Sequence, residues 1–261
     1  MLVLAFKLFI TPFLIGSVTL VGRRWGSVVS GLLIGLPLTS GPISFILAYE
    51  YGLEFASQSA VGNLAGQISN CIFCLTYIRV AQSCDWLISS ITAIAAFFVA
   101  TFALNTFSWQ LLPAFFALLV VIVVSGRLIP RHKLTAGAFS PPRWDLPARI
   151  ATATGLVILL TTVADELGPQ LSGLISPFPA FSVIFAAFTH SQQDAKSASN
   201  LLRGVVVGSG SYAVFFLIVG ELLPRAGIAL TYLMASLVAV SVSGLYVLVS
   251  RKMQRRFGPR S

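Results

Sequence analysis

The sequence predicts an all-α polytopic membrane protein of about nine transmembrane helices, arranged as two inverted-topology four-helix repeats plus one extra helix. Three observations lead there. Charged residues make up 10% of the chain and hydrophobic ones 56%, against about 25% charged in soluble domains, and the mean hydropathy is +0.90. Nine apolar runs come close to the roughly 20 residues that cross a bilayer. The first and second halves also resemble one another at a constant offset of 142 residues.

The runs lie near 3–22, 27–49, 58–78, 86–105, 108–126, 149–165, 170–189, 201–223 and 227–249, which leaves little chain for a soluble domain. The first run has no basic cluster before its apolar core and no small-x-small cleavage site, so it is expected to be a retained span rather than a signal peptide. An odd number of spans puts the termini on opposite sides. With the N-terminus outside and the C-terminus cytoplasmic, fifteen of the seventeen Lys and Arg residues face inward, and only Lys7 and Arg225 face outward. That is the orientation the positive-inside rule selects. It also accounts for the net charge of +9 without a nucleic-acid partner. The expected partner is the lipid bilayer, and a homodimer is compatible with the chain.

The repeat aligns "SGLLIGLP" at 30–37 with "SGLISPFP" at 172–179 without gaps. Leu14, Thr19, Gly26, Gly62, Gly66, Phe73 and Leu75 match Leu156, Thr161, Gly168, Gly204, Gly208, Phe215 and Leu217. Charges swap sign between equivalent positions: Arg23 and Arg24 fall on Asp165 and Glu166, Glu54 on Lys196, and Arg79 on Glu221. Opposite signs are expected if the second copy lies upside down. Lys7 and Arg149, both basic, break that pattern. The resulting division is a first membrane repeat at 1–106, an extra helix at 107–126, a basic cytoplasmic linker at 127–148, the inverted repeat at 149–250 and a basic tail at 251–261.

The second span carries "GLPLTSGP" at its centre. Proline removes a backbone donor, clashes with the preceding turn and turns its predecessor away from helical angles. Broken backbone at membrane depth is tolerated only where protein or a water-filled cavity satisfies the freed groups. Pro37 and Pro42 are both expected to break this span into half-helices, and the seventh span offers the matching "SPFP" at 176–179. Interruptions at equivalent positions of two inverted halves point to a transporter binding site. The candidate substrate-binding residues are Pro37, Thr39, Ser40, Gly41, Ser176, Pro177, Phe178, Pro179 and Ser182. Half-helix N-termini would favour an anionic or polar group. Kinks that only shape packing are the alternative.

Asn63, Gln67 and Asn70 recur at i, i+4 and i+7 on one face of the third span, either as interhelical glue or as cavity lining. Gly62-x-x-x-Gly66 and Gly204-x-x-x-Gly208 read as close-packing faces. Cys71 and Cys74 lack a second pair or a histidine at zinc spacing and read as small core residues. His190 and Glu50 are the candidates for a proton-linked role. No carboxylate falls clearly at mid-membrane, and no metalloprotease, nucleophile-elbow or phosphate-loop motif occurs. The chain is therefore expected to be no enzyme and to need neither cofactor nor metal.

The stretch "LSGLISPFPAFSVIFAAFTHSQQDAKSASNLLRGVVVGSGSYAVFFLIVGELL" resembles the small four-helix inner-membrane proteins of the GlpM type, which carry a similar "GL…FP" core, an aliphatic run and a polar loop. The likeness covers about 150–250, and more faintly 8–105 through the repeat, where "LP" stands in place of "FP". It implies a bacterial inner membrane and a one-domain ancestor that was duplicated. That family is linked to alginate production without a defined activity, and no site residue carries over. The expected function is a secondary transporter or facilitator of a small polar or anionic solute, with its site between the second and seventh spans. The alternatives are a structural or accessory protein of envelope or exopolysaccharide assembly, or a lipid flippase.

Overall fold

The computed structural model describes the backbone of residues 2–130, 141–175 and 178–257, with side chains described at 9–130, 141–160 and 178–248. Every regular element among them is an α-helix: α1 (Leu2–Trp25), α2 (Ser27–Ile34), α3 (Ser40–Tyr51), α4 (Leu53–Val80), α5 (Trp86–Asn105), α6 (Leu111–Leu128), α7 (Asp145–Ile175), α8 (Ala180–Gln192) and α9 (Ala195–Phe257). Ser176, Pro177 and the linker residues Arg131, His132 and Lys133 lie outside the described residues. So do the side chains of Lys7, Asp165 and Glu166.

Three helices among the described residues are long and apolar enough to cross a membrane: α5, α6 and the 195–248 portion of α9. A count of about nine spans is not supported. The second expected span is split into α2 and α3, of 8 and 12 residues. The third, α4, is long but carries Gln58, Asn63, Gln67 and Asn70. The last two are joined in α9. On the three apolar helices large side chains point outward, among them Val99, Phe102, Phe116, Val120, Leu233 and Leu237. Such faces fit association with a membrane.

Glycine sets three of the junctions. Gly26, between α1 and α2, and Gly52, between α3 and α4, both adopt φ 91° and ψ 167°. Gly227 bends α9 at φ 74° and ψ 176°. A side chain is strained in this region of backbone space, so glycine lets each helix end and the next begin without a loop. The start of α5 is capped differently, with the Ile88 N–H donating to Asp85 Oδ1 at 2.9 Å.

The break in the second span is real but narrower than expected. α2 ends at Ile34, where the Leu36 N–H tightens onto Leu33 O at 3.1 Å, and α3 resumes at Ser40. Pro37 lies in the gap. Pro42 does not break the chain: it occupies the first turn of α3, where its missing N–H removes no intrahelical bond.

The centre of the bundle is the antiparallel pair of α4 and α9, with α2 laid across α9. The α2–α9 crossing is glycine against glycine. A Cβ on Gly31 would stand 1.9 Å from Leu201 O, and one on Gly35 2.5 Å from Val205 O. Reciprocally, a Cβ on Gly204 would meet Val28 O at 2.3 Å and one on Gly208 would meet Leu32 O at 2.6 Å. The packing expected of Gly204 and Gly208 is therefore present. Gly62 departs from it: the residue is exposed, with open space where a Cβ would project.

Gly31→Ala and Gly204→Ala should each destabilise the protein by about 1–3 kcal/mol, because the two backbones must move apart. Gly62→Ala should be neutral, or stabilising by up to about 1 kcal/mol through helix propensity. Unfolding midpoints in mixed detergent micelles decide the matter, and equal behaviour of the three variants would refute the close crossing.

Candidate functional site

The α4–α9 pair is cross-linked by side-chain hydrogen bonds along its length. Ser57 Oγ donates to Gly220 O at 2.7 Å, Tyr212 Oη to Asn63 Oδ1 at 3.0 Å, and Gln67 Nε2 to Ser209 Oγ at 2.7 Å. Ser209 in turn donates to Val205 O at 3.0 Å. Asn63 Nδ2 turns back to Ser59 O at 3.0 Å. The Ser40 hydroxyl, at the first residue of α3, lies against the Tyr212 phenol. Ser44, one turn on, bonds Tyr232 Oη of the second arm of α9 at 2.7 Å. Ser40, Asn63 and Tyr212 thus form a neutral polar cluster beside the break in the second span.

The remaining candidates are dispersed. Gly41 is buried, with the Phe215 ring 3.1 Å from where its Cβ would be. Pro37 is buried and Thr39 half-buried. Gln67 and Asn70 are each 7% exposed, and Asn70 Oδ1 meets the Cys74 thiol at 4.0 Å, a weak contact. Phe178 meets Phe97 of α5 edge-on and Phe98 at a tilt, with ring centroids 5.6 and 5.8 Å away. Pro179 is the buried residue before α8, and Ser182 is buried in its first turn. His190 Nδ1 lies 3.2 Å from Tyr77 Oη at the far end of α4, while Glu50 is exposed at the opposite end. α3 packs chiefly on α4 and α8 chiefly on α9.

Few free backbone donors are left in the first turn of α3. Gly41 N–H is taken by Pro37 O at 2.9 Å, Ile43 N–H by Thr39 O at 3.1 Å, and Pro42 has none. Neither α3 nor α8 has a side-chain cap. Hydroxyls and carboxamides, rather than a row of amides, are the groups on offer beside α3.

One cluster was not foreseen. Asp145, the first residue of α7, is buried with its carboxylate divided between two guanidinium groups. Arg149 Nε donates to Oδ1 at 2.7 Å and Arg23, at the end of α1, donates to Oδ2 at 2.9 Å. Arg149 lies against the faces of Phe185 and Phe188 of α8, 5.4 and 5.1 Å from the ring centroids. Burial alone would raise the Asp145 pKa, but the hydrogen bonds from Arg149 and Arg23 outweigh it and hold the carboxyl below its usual range. A lone acid in a basic segment, with arginine four residues on, was the available signal.

No family model, curated protein or solved structure matches the chain. The geometry therefore carries the functional reading.

Asp145→Ala should destabilise the protein by about 3–5 kcal/mol, because it strands Arg149 in a buried position. The depressed pKa also fixes a pH dependence. The ion pairs contribute in full above the unfolded carboxylate value of about 3.9 and are lost as pH falls through the folded value. Thermal midpoints of the wild type should drop on acidification below about pH 4, with a smaller drop in Asp145→Asn; parallel curves would show that this carboxylate is not the responsible group.

Proposed function

We propose that this protein is a secondary transporter or facilitator built from two inverted repeats, which moves a small polar solute past the Ser40–Tyr212–Asn63 cluster. The observation that carries the reading is the break between α2 and α3, which ends beside that cluster with hydroxyl and carboxamide groups at its edge. Unwound backbone within a span is expected where a cavity or ligand completes its hydrogen bonding. The shortage of free amides at the start of α3 favours a neutral polar solute over an anion.

The repeat reading draws support from the element boundaries. Shifted by the offset of 142 residues, the start of α3 falls within two residues of the start of α8, and that of α4 on the start of α9. The start of α5 falls one residue past the Gly227 bend. Gln67 and Ser209, equivalent positions under that offset, meet at 2.7 Å, as residues beside a two-fold axis between the copies would. The open face at Gly62, against the closed one at its equivalent Gly204, means that the copies are packed differently. Rocking between two such arrangements is how inverted repeats alternate access. The resemblance of 150–250 to GlpM-type proteins supports the bacterial inner membrane as location, and the distribution of Lys and Arg supports a cytoplasmic C-terminus.

A second reading, a structural or accessory membrane protein, is favoured by the way Asn63 and Gln67 of α4 find partners on α9. Labelling separates the two. In a Cys84→Ser background, Ser40→Cys and Thr39→Cys should react with a membrane-impermeant thiol reagent, and a transported solute should protect them. Uptake by reconstituted vesicles, screened over sugars, polyols, amino acids and organic acids, should fall about tenfold in Asn63→Leu, the equivalent of ~1.4 kcal/mol. Unreactive cysteines from both faces, together with no uptake of any compound, would leave the accessory role standing.

A further inference from the structure

We infer that the junction of the α1 C-terminus with the α7 N-terminus is a binding site for the headgroup of an anionic phospholipid. The inference requires insertion in a bilayer but not transport. The Arg23–Asp145 bond, at 2.9 Å, ties the two helix ends together and so gathers Arg23, Arg24 and Trp25 with Arg143 and Trp144. Four guanidinium groups stand at this junction against one carboxylate, and both oxygens of that carboxylate are already occupied by Arg23 and Arg149. Arg24 and Arg143 are exposed and form no ion pair among the described residues.

Two tryptophans flank these arginines. Trp25 is 54% and Trp144 58% exposed, and the Arg24 guanidinium lies 5.8 Å from the Trp25 ring centroid. Exposed indoles at a helix end suit the headgroup level, where an amphipathic ring has its apolar body in the acyl boundary and its N–H in the polar layer. Basic groups between adjacent membrane helices at that depth recognise acidic headgroups. A planar guanidinium takes a phosphate through two parallel N–H···O bonds. Unpaired arginines beside interfacial indoles, held by a buried ion pair, therefore match a phosphodiester attached to acyl chains better than a free ion, which would make no use of the indoles.

The test uses the full chain in phosphatidylcholine vesicles and reads tryptophan emission quenched by brominated-chain lipids. Brominated phosphatidylglycerol should quench more effectively per mole than brominated phosphatidylcholine. The Arg24→Gln/Arg143→Gln double variant should lose that preference, by about fivefold in relative association for each arginine, and Trp25→Phe/Trp144→Phe should lose the preferential signal. Circular dichroism and the thermal midpoint confirm that the variants are folded; should the double variant not fold, raising the salt concentration on the wild type replaces it and should abolish the preference. Equal quenching by the two lipids, or a preference unchanged in the double variant, overturns the inference. Abolition of the preference by millimolar inorganic phosphate at constant ionic strength would also overturn it, by assigning the site to the free anion.

Discussion

The bundle depends on how closely α2 approaches α9. At Gly31, Gly35, Gly204 and Gly208 no side chain separates the two backbones, and any Cβ would stand within 2.6 Å of a carbonyl oxygen of the other helix. In lipid there is little hydrophobic drive for helices to associate, because acyl chains are as apolar as leucine. Dispersion across a close backbone interface supplies it instead. α2 has only eight residues and would be marginal by itself. Held against α9, it fixes the position of the gap at 35–39, and through that gap the place where α3 starts. The location of Ser40 beside Tyr212 thus follows from four missing side chains elsewhere in the bundle.

In this setting a buried polar side chain needs a partner, a need that Ser69 Oγ and Thr101 Oγ1 do not meet among the described residues. A carboxamide or hydroxyl withdrawn from water without a partner costs about 1–3 kcal/mol on mutational scales. Asn63 and Gln67 meet it across the helix pair with Tyr212 and Ser209. Asp145 meets it with two guanidinium groups and thereby joins α1 to α7. Arg149, at 5% exposure, is satisfied by the same carboxylate and by two aromatic faces. One buried charge cluster therefore does the joining at the helix ends that hydroxyls and carboxamides do along the α4–α9 pair.

Helix positions were legible in the sequence wherever apolar runs were bounded by strong local signals. The expected 86–105 coincides with α5, which Asp85 caps, and the break around Pro37 appears where glycine and proline interrupt the run. Pro42 was misjudged because proline disrupts a helix interior but not a first turn, and which of the two it occupies depends on where the helix restarts. The number of spans was not legible, since length and apolarity do not distinguish a long polar helix such as α4 from a lipid-facing one. Asn63 and Gln67 could be placed on one face, but their partners lie 149 and 142 residues away. Asp145 was half hidden: Arg149, four residues on, was a local signal, but its second partner, Arg23, lies 122 residues away.

The hydrogen bonds between α4 and α9 also show where the pairing is incomplete. Ser57 with Gly220, Asn63 with Tyr212 and Gln67 with Ser209 define one antiparallel register. Continued by one turn, that register brings Val205 and Val206, both fully buried, to the level of Asn70. Valine can neither donate nor accept through its side chain, so α9 offers Asn70 nothing like what Tyr212 offers Asn63. Asn70 is left, among its described contacts, with the Cys74 thiol at 4.0 Å. The mismatch falls on the buried side of α4, one turn beyond the Gln67–Ser209 contact, where the α4–α9 register passes from polar pairing to apolar packing.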